Sequence, residues 1–136
     1  MLQMKLRIWH QAFHVLLFLL YVILMDNACH PLFDLKAAEG VPNHVSIDTR
    51  KLLRDVLRSN ATSAILAHNH PTGPALPSKA DQMTTLQIMQ LLAPAGVSIL
   101  DHIIVAGDNA CSMADRGRLP DLKDYPTFLS AASPHP

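Results

Sequence analysis

Three side chains that ligate metals fall within fourteen residues: His68, His70 and Asp81. The apolar run Ser63-Ala64-Ile65-Leu66-Ala67 precedes them and reads as a buried strand. Residues i and i+2 of an extended segment point to the same side, so His68 and His70 can aim two imidazoles at one point. Asp81 falls in the first turn of the helix that follows and brings a carboxylate oxygen. Two nitrogens and one oxygen suit zinc, and three protein ligands leave a fourth position for water, which is the catalytic rather than the structural arrangement. Asn69, between the two histidines, points the other way and reads as a structural hydrogen-bonder. The chain has eight histidines and two cysteines, Cys29 and Cys111, neither at zinc-finger spacing, so a metal here is held by nitrogen and oxygen. Both cysteines read as buried small hydrophobes.

Each of these residues also has a purely structural use. Ser78-x-x-Asp81 is close to a capping box, in which the serine and the acid satisfy free N–H groups at a helix start. A carboxylate has two oxygens, so capping and ligation do not exclude each other. His102, beside Asp101 in an apolar run, reads as a core histidine bonded to a neighbouring backbone group. His10, His14, His30 and His44 have no ligand spacing to one another.

The elements that position the cluster can be read in order. Val15 to Met25 is an unbroken apolar run behind Lys5 and Arg7. It is shorter than the roughly 20 residues a membrane helix needs. Even extended back to Ile8, residues 8–25 take in His10, Gln11 and His14, so a buried strand or core helix is favoured over a membrane anchor or a signal segment. Asp26-Asn27-Ala28-Cys29-His30-Pro31 reads as the turn of a hairpin returning along Leu32-Phe33-Asp34-Leu35. Val45-Ser46-Ile47 fits a short strand. Asp48 or Thr49 can cap a helix of about ten residues, with Leu52, Leu53, Val56 and Leu57 on one face. After the loop 71–77, a longer helix runs from Ser78 to about Leu92 and ends at Pro94 and Gly96. A strand over Val97 to Ala106, a turn at Gly107-Asp108-Asn109 and a short strand over Ala110 to Met113 complete the pattern. From Asp121 the composition reads as a poorly ordered tail.

His68-x-His70-x7-Ser78-x2-Asp81 resembles the JAMM motif of MPN-domain metalloproteases. The strings His68-Asn69-His70-Pro71-Thr72-Gly73, Leu100-Asp101-His102-Ile103-Ile104-Val105 and Ser112-Met113-Ala114-Asp115-Arg116-Gly117 are similar to the bacterial RadC branch of that superfamily. The resemblance covers about residues 21–120, leaving 1–20 as an atypical apolar segment and 121–136 as the tail. It implies an α+β fold, the cytidine-deaminase-like α/β/α sandwich with a mixed sheet. It also implies zinc held by His68, His70 and Asp81, with Ser78 steadying the oxyanion during peptide or isopeptide hydrolysis. The family is associated with DNA repair, and the expected compartment is cytoplasmic.

One residue of the motif is missing. The pattern requires a glutamate at the start of the first core strand, to take a proton from the activated water. Matching Tyr21–Asp26 to that strand puts Phe18 at its place, and matching Phe13–Leu16 puts Gln11 there. The single glutamate, Glu39, lies after the hairpin and serves only if its loop folds back over the metal. Two readings follow: a zinc-dependent hydrolase acting on a peptide or protein, or a degenerate, non-catalytic module that keeps the fold. A formal net charge of zero argues against a strong electrostatic footprint for nucleic acid. Arg50, Lys51, Arg54 and Arg58 cluster on one helix, which reads as a solvated face.

Overall fold

The structure, a computed structural model, describes residues 17–40 and 46–125. Five strands form one sheet: β1 (Phe18–Met25), β2 (Pro31–Gly40), β3 (Ser63–Asn69), β4 (Ser98–Ala106) and β5 (Asn109–Ser112), in the spatial order β2-β1-β3-β4-β5. Only the β3–β4 pair is parallel. A parallel pair needs a crossover, and here it contains the long helix. The architecture is α+β with a mixed sheet, as the resemblance implies.

The apolar run before Asp26 is thus a strand over Phe18–Met25, placed inside the sheet between β2 and β3. Leu19, Leu20 and every residue from Val22 to Met25 are buried, which accounts for an apolar run with no polar alternation. Among the described residues no helix is long and apolar enough to cross a membrane. Residues 8–16, including Gln11, lie outside the described residues, as do 41–45 and 126–136. The β1–β2 turn falls where the sequence places it. Asp26 Oδ1 accepts from the Ala28 and His30 amides, each at 2.9 Å. Cys29 adopts φ 59° in this turn and is exposed, so only Cys111 is the buried hydrophobe expected of both.

Helix α1 (Thr49–Arg58) starts at Asp48, whose side chain accepts from the Lys51 amide at 3.1 Å. It buries Leu52 and Val56, with Leu53 packed beside them. Leu57 is 63% exposed, contrary to the expected face. An i, i+4 pair defines a narrow stripe, and the residue after Val56 turns about 100° away from it. Arg50, Lys51, Arg54 and Arg58 are exposed, as a solvated face should be. Of the expected strand Val45-Ser46-Ile47, Ser46 and Ile47 are not in a strand and Val45 lies outside the described residues.

Helix α2 (Lys79–Leu92) presents Leu86, Ile88, Met89 and Leu92 to the core. Pro94 lies in a single 3-10 turn and Gly96 (φ 76°) ends it in the left-handed conformation, which releases the chain into β4. A further 3-10 turn at Leu122–Asp124 packs Leu122 on the core, so ordered chain runs past Asp121.

The pleat sorts the sheet into two faces. Leu20, Val22, Leu24, Ala64 and Leu66 meet both helices on one. Ile23, Met25, Ile65, Ala67, Ile103 and Val105 form a second cluster on the other. Among the described residues the expected sandwich is therefore seen as two layers, with both helices on the first face.

Candidate metal centre

His68 stands at the C-terminal end of β3, opposite Leu20 of β1 and Ile104 of β4, so it points to the helix-covered face and is 1% exposed. His70 lies one residue past β3. Its amide donates to Val105 O at 2.8 Å, which prolongs the β3–β4 ladder and keeps the i, i+2 geometry. The two rings are 4.8 Å apart, centroid to centroid. Asn69, on the opposite side, accepts from the Leu19 amide at 2.7 Å and donates to Leu17 O at 2.7 Å. It is the structural hydrogen-bonder expected, and it fixes the start of β1.

Asp81 arrives from the first turn of α2. Its Oδ1 is 3.0 Å from His68 Nε2 and its Oδ2 is 3.1 Å from His70 Nε2. One ligand atom from each of the three residues lies within 4.8 Å of the others. Ser78 and Asp81 also form the capping box: Ser78 Oγ accepts from the Asp81 amide at 3.1 Å and Asp81 Oδ2 from the Ser78 amide at 2.7 Å. The helix cap therefore aims the carboxylate at the histidines, and capping leaves Asp81 in reach of both rings.

The donor set fits a metal ion. His68 Nε2 is buried and makes no hydrogen bond among the described residues, although Asp81 Oδ1 lies 3.0 Å away. A buried polar atom without a partner is costly unless something completes it. His70 Nδ1 is 2.9 Å from Pro74 O. A carbonyl only accepts, so Nδ1 carries the hydrogen and Nε2 is the nitrogen that could ligate a metal.

The sequence reading missed the partners behind this set. His102 bonds through its ring to side chains, not to backbone. Its Nε2 is 2.6 Å from His68 Nδ1, and its Nδ1 is 2.6 Å from Thr85 Oγ1. Thr85 lies one turn beyond Asp81 on the same side of α2 and is fully buried. A buried threonine four residues from a ligand, and a histidine on a strand adjoining β3, are the signals that could have found the pair.

The missing base has a structural counterpart. The Phe18 ring lies 5.2 Å from the His68 ring, centroid to centroid. Phe18, one of the two positions expected for the glutamate, therefore stands beside the cluster, while Gln11 lies outside the described residues. Glu39 pairs across from Leu19 on β2 and bonds Lys36. Strand alternation puts it on the face away from His68.

Fold and site together define a JAB (MPN) domain with a His-His-Asp cluster compatible with a JAMM metal site. The model of the RadC-like JAB domain family matches residues 11–118, and the chain belongs to that family. A UPF0758 protein of Bordetella petrii is 41% identical over 95 residues, which is 70% of this chain and 42% of that protein. One of Janthinobacterium sp. (strain Marseille) is 42% identical over 92 residues, 68% of this chain and 39% of that protein. The chain thus spans about two fifths of the length of these relatives.

The cluster makes the metal-free fold sensitive to acid. Burial pushes His102 down to about 3 and also lowers His68. The hydrogen bond with Asp81 raises His70. Burial alone would raise Asp81, but the adjoining His68 and His70 rings outweigh it and hold the carboxyl below its ordinary range. Below about pH 6.5 the unfolded chain protonates position 102 while the folded chain does not, so its contribution falls with pH, and the lowered His68 acts in the same direction. His70 is protonated in both states there. Asp81 keeps its contribution until pH drops below the ordinary carboxylate value of about 4. The expected loss between pH 7 and 5 is about 1.4 kcal/mol per pH unit for His102 once below 6.5, with His68 adding to it in the same direction. Urea unfolding in the presence of a chelator checks it; an unchanged midpoint between pH 7 and 5 contradicts it.

Proposed function

We propose that the chain binds one zinc ion through His68 Nε2, His70 Nε2 and Asp81, and serves peptide or isopeptide hydrolysis on a peptide or protein substrate. The convergence of three ligand atoms, one of them a buried nitrogen without a hydrogen bond, carries this reading. Zinc, when bound, supplies a Lewis acid that polarises the scissile carbonyl and lowers the pKa of water. The protein's own part is positional. The β3 end holds the two imidazoles, and the α2 cap holds the carboxylate. Ser78 Oγ accepts from the Asp81 amide and retains its hydroxyl hydrogen, which suits it to steady a developing oxyanion. The family's association with DNA repair is consistent with a protein substrate in that setting.

A second reading, a non-catalytic JAB module, is favoured by one observation: an apolar ring at position 18 against His68. No carboxylate other than Asp81 belongs to the cluster among the described residues. The test is a zinc-loaded chain offered unstructured peptides and isopeptide-linked peptides. Slow cleavage that a chelator stops supports the hydrolase. No cleavage by a chain shown to hold zinc supports the module.

A further inference from the structure

His102 and Thr85 take no part in the metal set, yet they form a continuous buried chain behind it. The direction of every hydrogen in that chain can be deduced. Thr85 Oγ1 lies 2.6 Å from the Asp81 main-chain oxygen. A carbonyl cannot donate, so the single hydroxyl hydrogen of Thr85 is used there. Toward His102 Nδ1, also 2.6 Å away, Thr85 can then only accept, and His102 Nδ1 must carry a hydrogen. His102 is 1% exposed. With no carboxylate in contact with its ring, it is neutral, which leaves a lone pair on Nε2. His68 Nδ1, 2.6 Å from that lone pair, must be the donor.

We propose that Thr85 and His102 are positioning residues that lock His68 as its Nδ1–H tautomer, so that the Nε2 lone pair faces the metal position. Pro74 O does the same for His70. The His68 lock differs in being built from two side chains and in running back to Asp81. The carbonyl that ends the chain belongs to the same residue whose carboxylate is the third ligand. A shift of the first turn of α2 is therefore felt at both the carboxylate and the His68 tautomer. Outer partners of this kind commonly hold about 10–100-fold of a site's metal affinity.

The proposal rests on the metal reading, but its primary test does not. Long-range nitrogen–proton NMR on the metal-free, full-length chain near pH 8 reports which ring nitrogen of His68 carries hydrogen. Hydrogen on Nδ1 is expected, and hydrogen on Nε2 overturns the proposal whether or not the chain binds zinc. Thr85→Val removes the acceptor for His102 Nδ1–H and should let hydrogen move to His68 Nε2. It should weaken zinc binding, measured by competition with a chromophoric chelator, by about 10–100-fold. Thr85→Ser restores the oxygen and should stay near the wild-type affinity. A folded Thr85→Val chain with wild-type zinc affinity and an unchanged His68 tautomer overturns it. If Thr85→Val does not fold, the wild-type tautomer and the serine variant still decide. Absence of zinc uptake by wild type alongside an Nδ1–H tautomer would sink the metal reading and leave the lock standing.

Discussion

Purified chain supplied with zinc is expected to hold about one ion, and His68→Ala or Asp81→Ala to lose it. Apparent binding free energies of about 10–16 kcal/mol for four-ligand zinc sites correspond to about 3 kcal/mol per ligand, so losing one weakens binding by about 100-fold or more. The controls follow from what else each side chain does. Asp81→Ala also removes the acceptor for the Ser78 amide. Losing half of a capping box costs about 1 kcal/mol, which lowers the melting temperature without unfolding the chain. Asp81→Asn keeps an oxygen for that amide while removing the charge the ion needs. It should retain the melting temperature better than Asp81→Ala and still bind poorly. Ser78→Ala is the converse case. It loses the hydroxyl that caps α2, with an expected cost of about 0.5–2 kcal/mol, and keeps all three ligands. If zinc binding follows helix stability across these four variants instead of following the ligands, the cluster is a cap and nothing more. Elemental analysis beside thermal melts separates the two.

What the sequence disclosed about this site depended on how local the information was. The i, i+2 spacing of His68 and His70 and the serine-to-aspartate cap are properties of one strand and one helix start. Strand alternation and capping chemistry are therefore enough to bring out all three members of the cluster. The interior position of β1 was harder to read. An apolar run buried on both sides lacks the alternation that separates strand from helix, and Phe18–Met25 is such a run. Leu57 was misplaced because a broad apolar face and a narrow i, i+4 stripe differ by one residue's rotation. The Thr85–His102–His68 chain was not legible at all. It joins α2, β4 and β3, and only the register of the parallel pair, with Leu66 opposite His102 and His68 opposite Ile104, brings the two histidines side by side. Glu39 illustrates the reverse case. Residue type alone made it the one glutamate to consider, and a single step of strand parity removes it from the site.

Phe18→Glu is expected to raise the zinc-loaded chain's hydrolysis of a susceptible peptide or isopeptide by about 10²- to 10⁴-fold, the range a positioned general base supplies. Position 18 is where the structure can hold such a group. Phe18 starts β1 on the His68 face, one residue from each of the two backbone groups that Asn69 ties down, the Leu17 oxygen and the Leu19 amide. The backbone there is fixed on both sides, so a carboxylate would start from a defined point beside His68. The substitution gives up apolar contact with the core, at a cost of about 1–2 kcal/mol for a partly buried ring. In the metal-free chain it also adds a carboxylate to a buried setting, which zinc would offset by its charge. The variant should therefore melt below wild type without metal and recover much of the difference when zinc is added. Phe18→Gln separates shape from chemistry, since it has the same reach and no base; its rate should remain near that of wild type. Gln11→Glu tests the other registration of the motif and should produce no gain. A gain from Gln11→Glu with none from Phe18→Glu would place the glutamate position upstream of β1. If neither variant gains activity while both hold zinc, the absence of a base is not what limits this chain, and the non-catalytic module becomes the better reading of the fold.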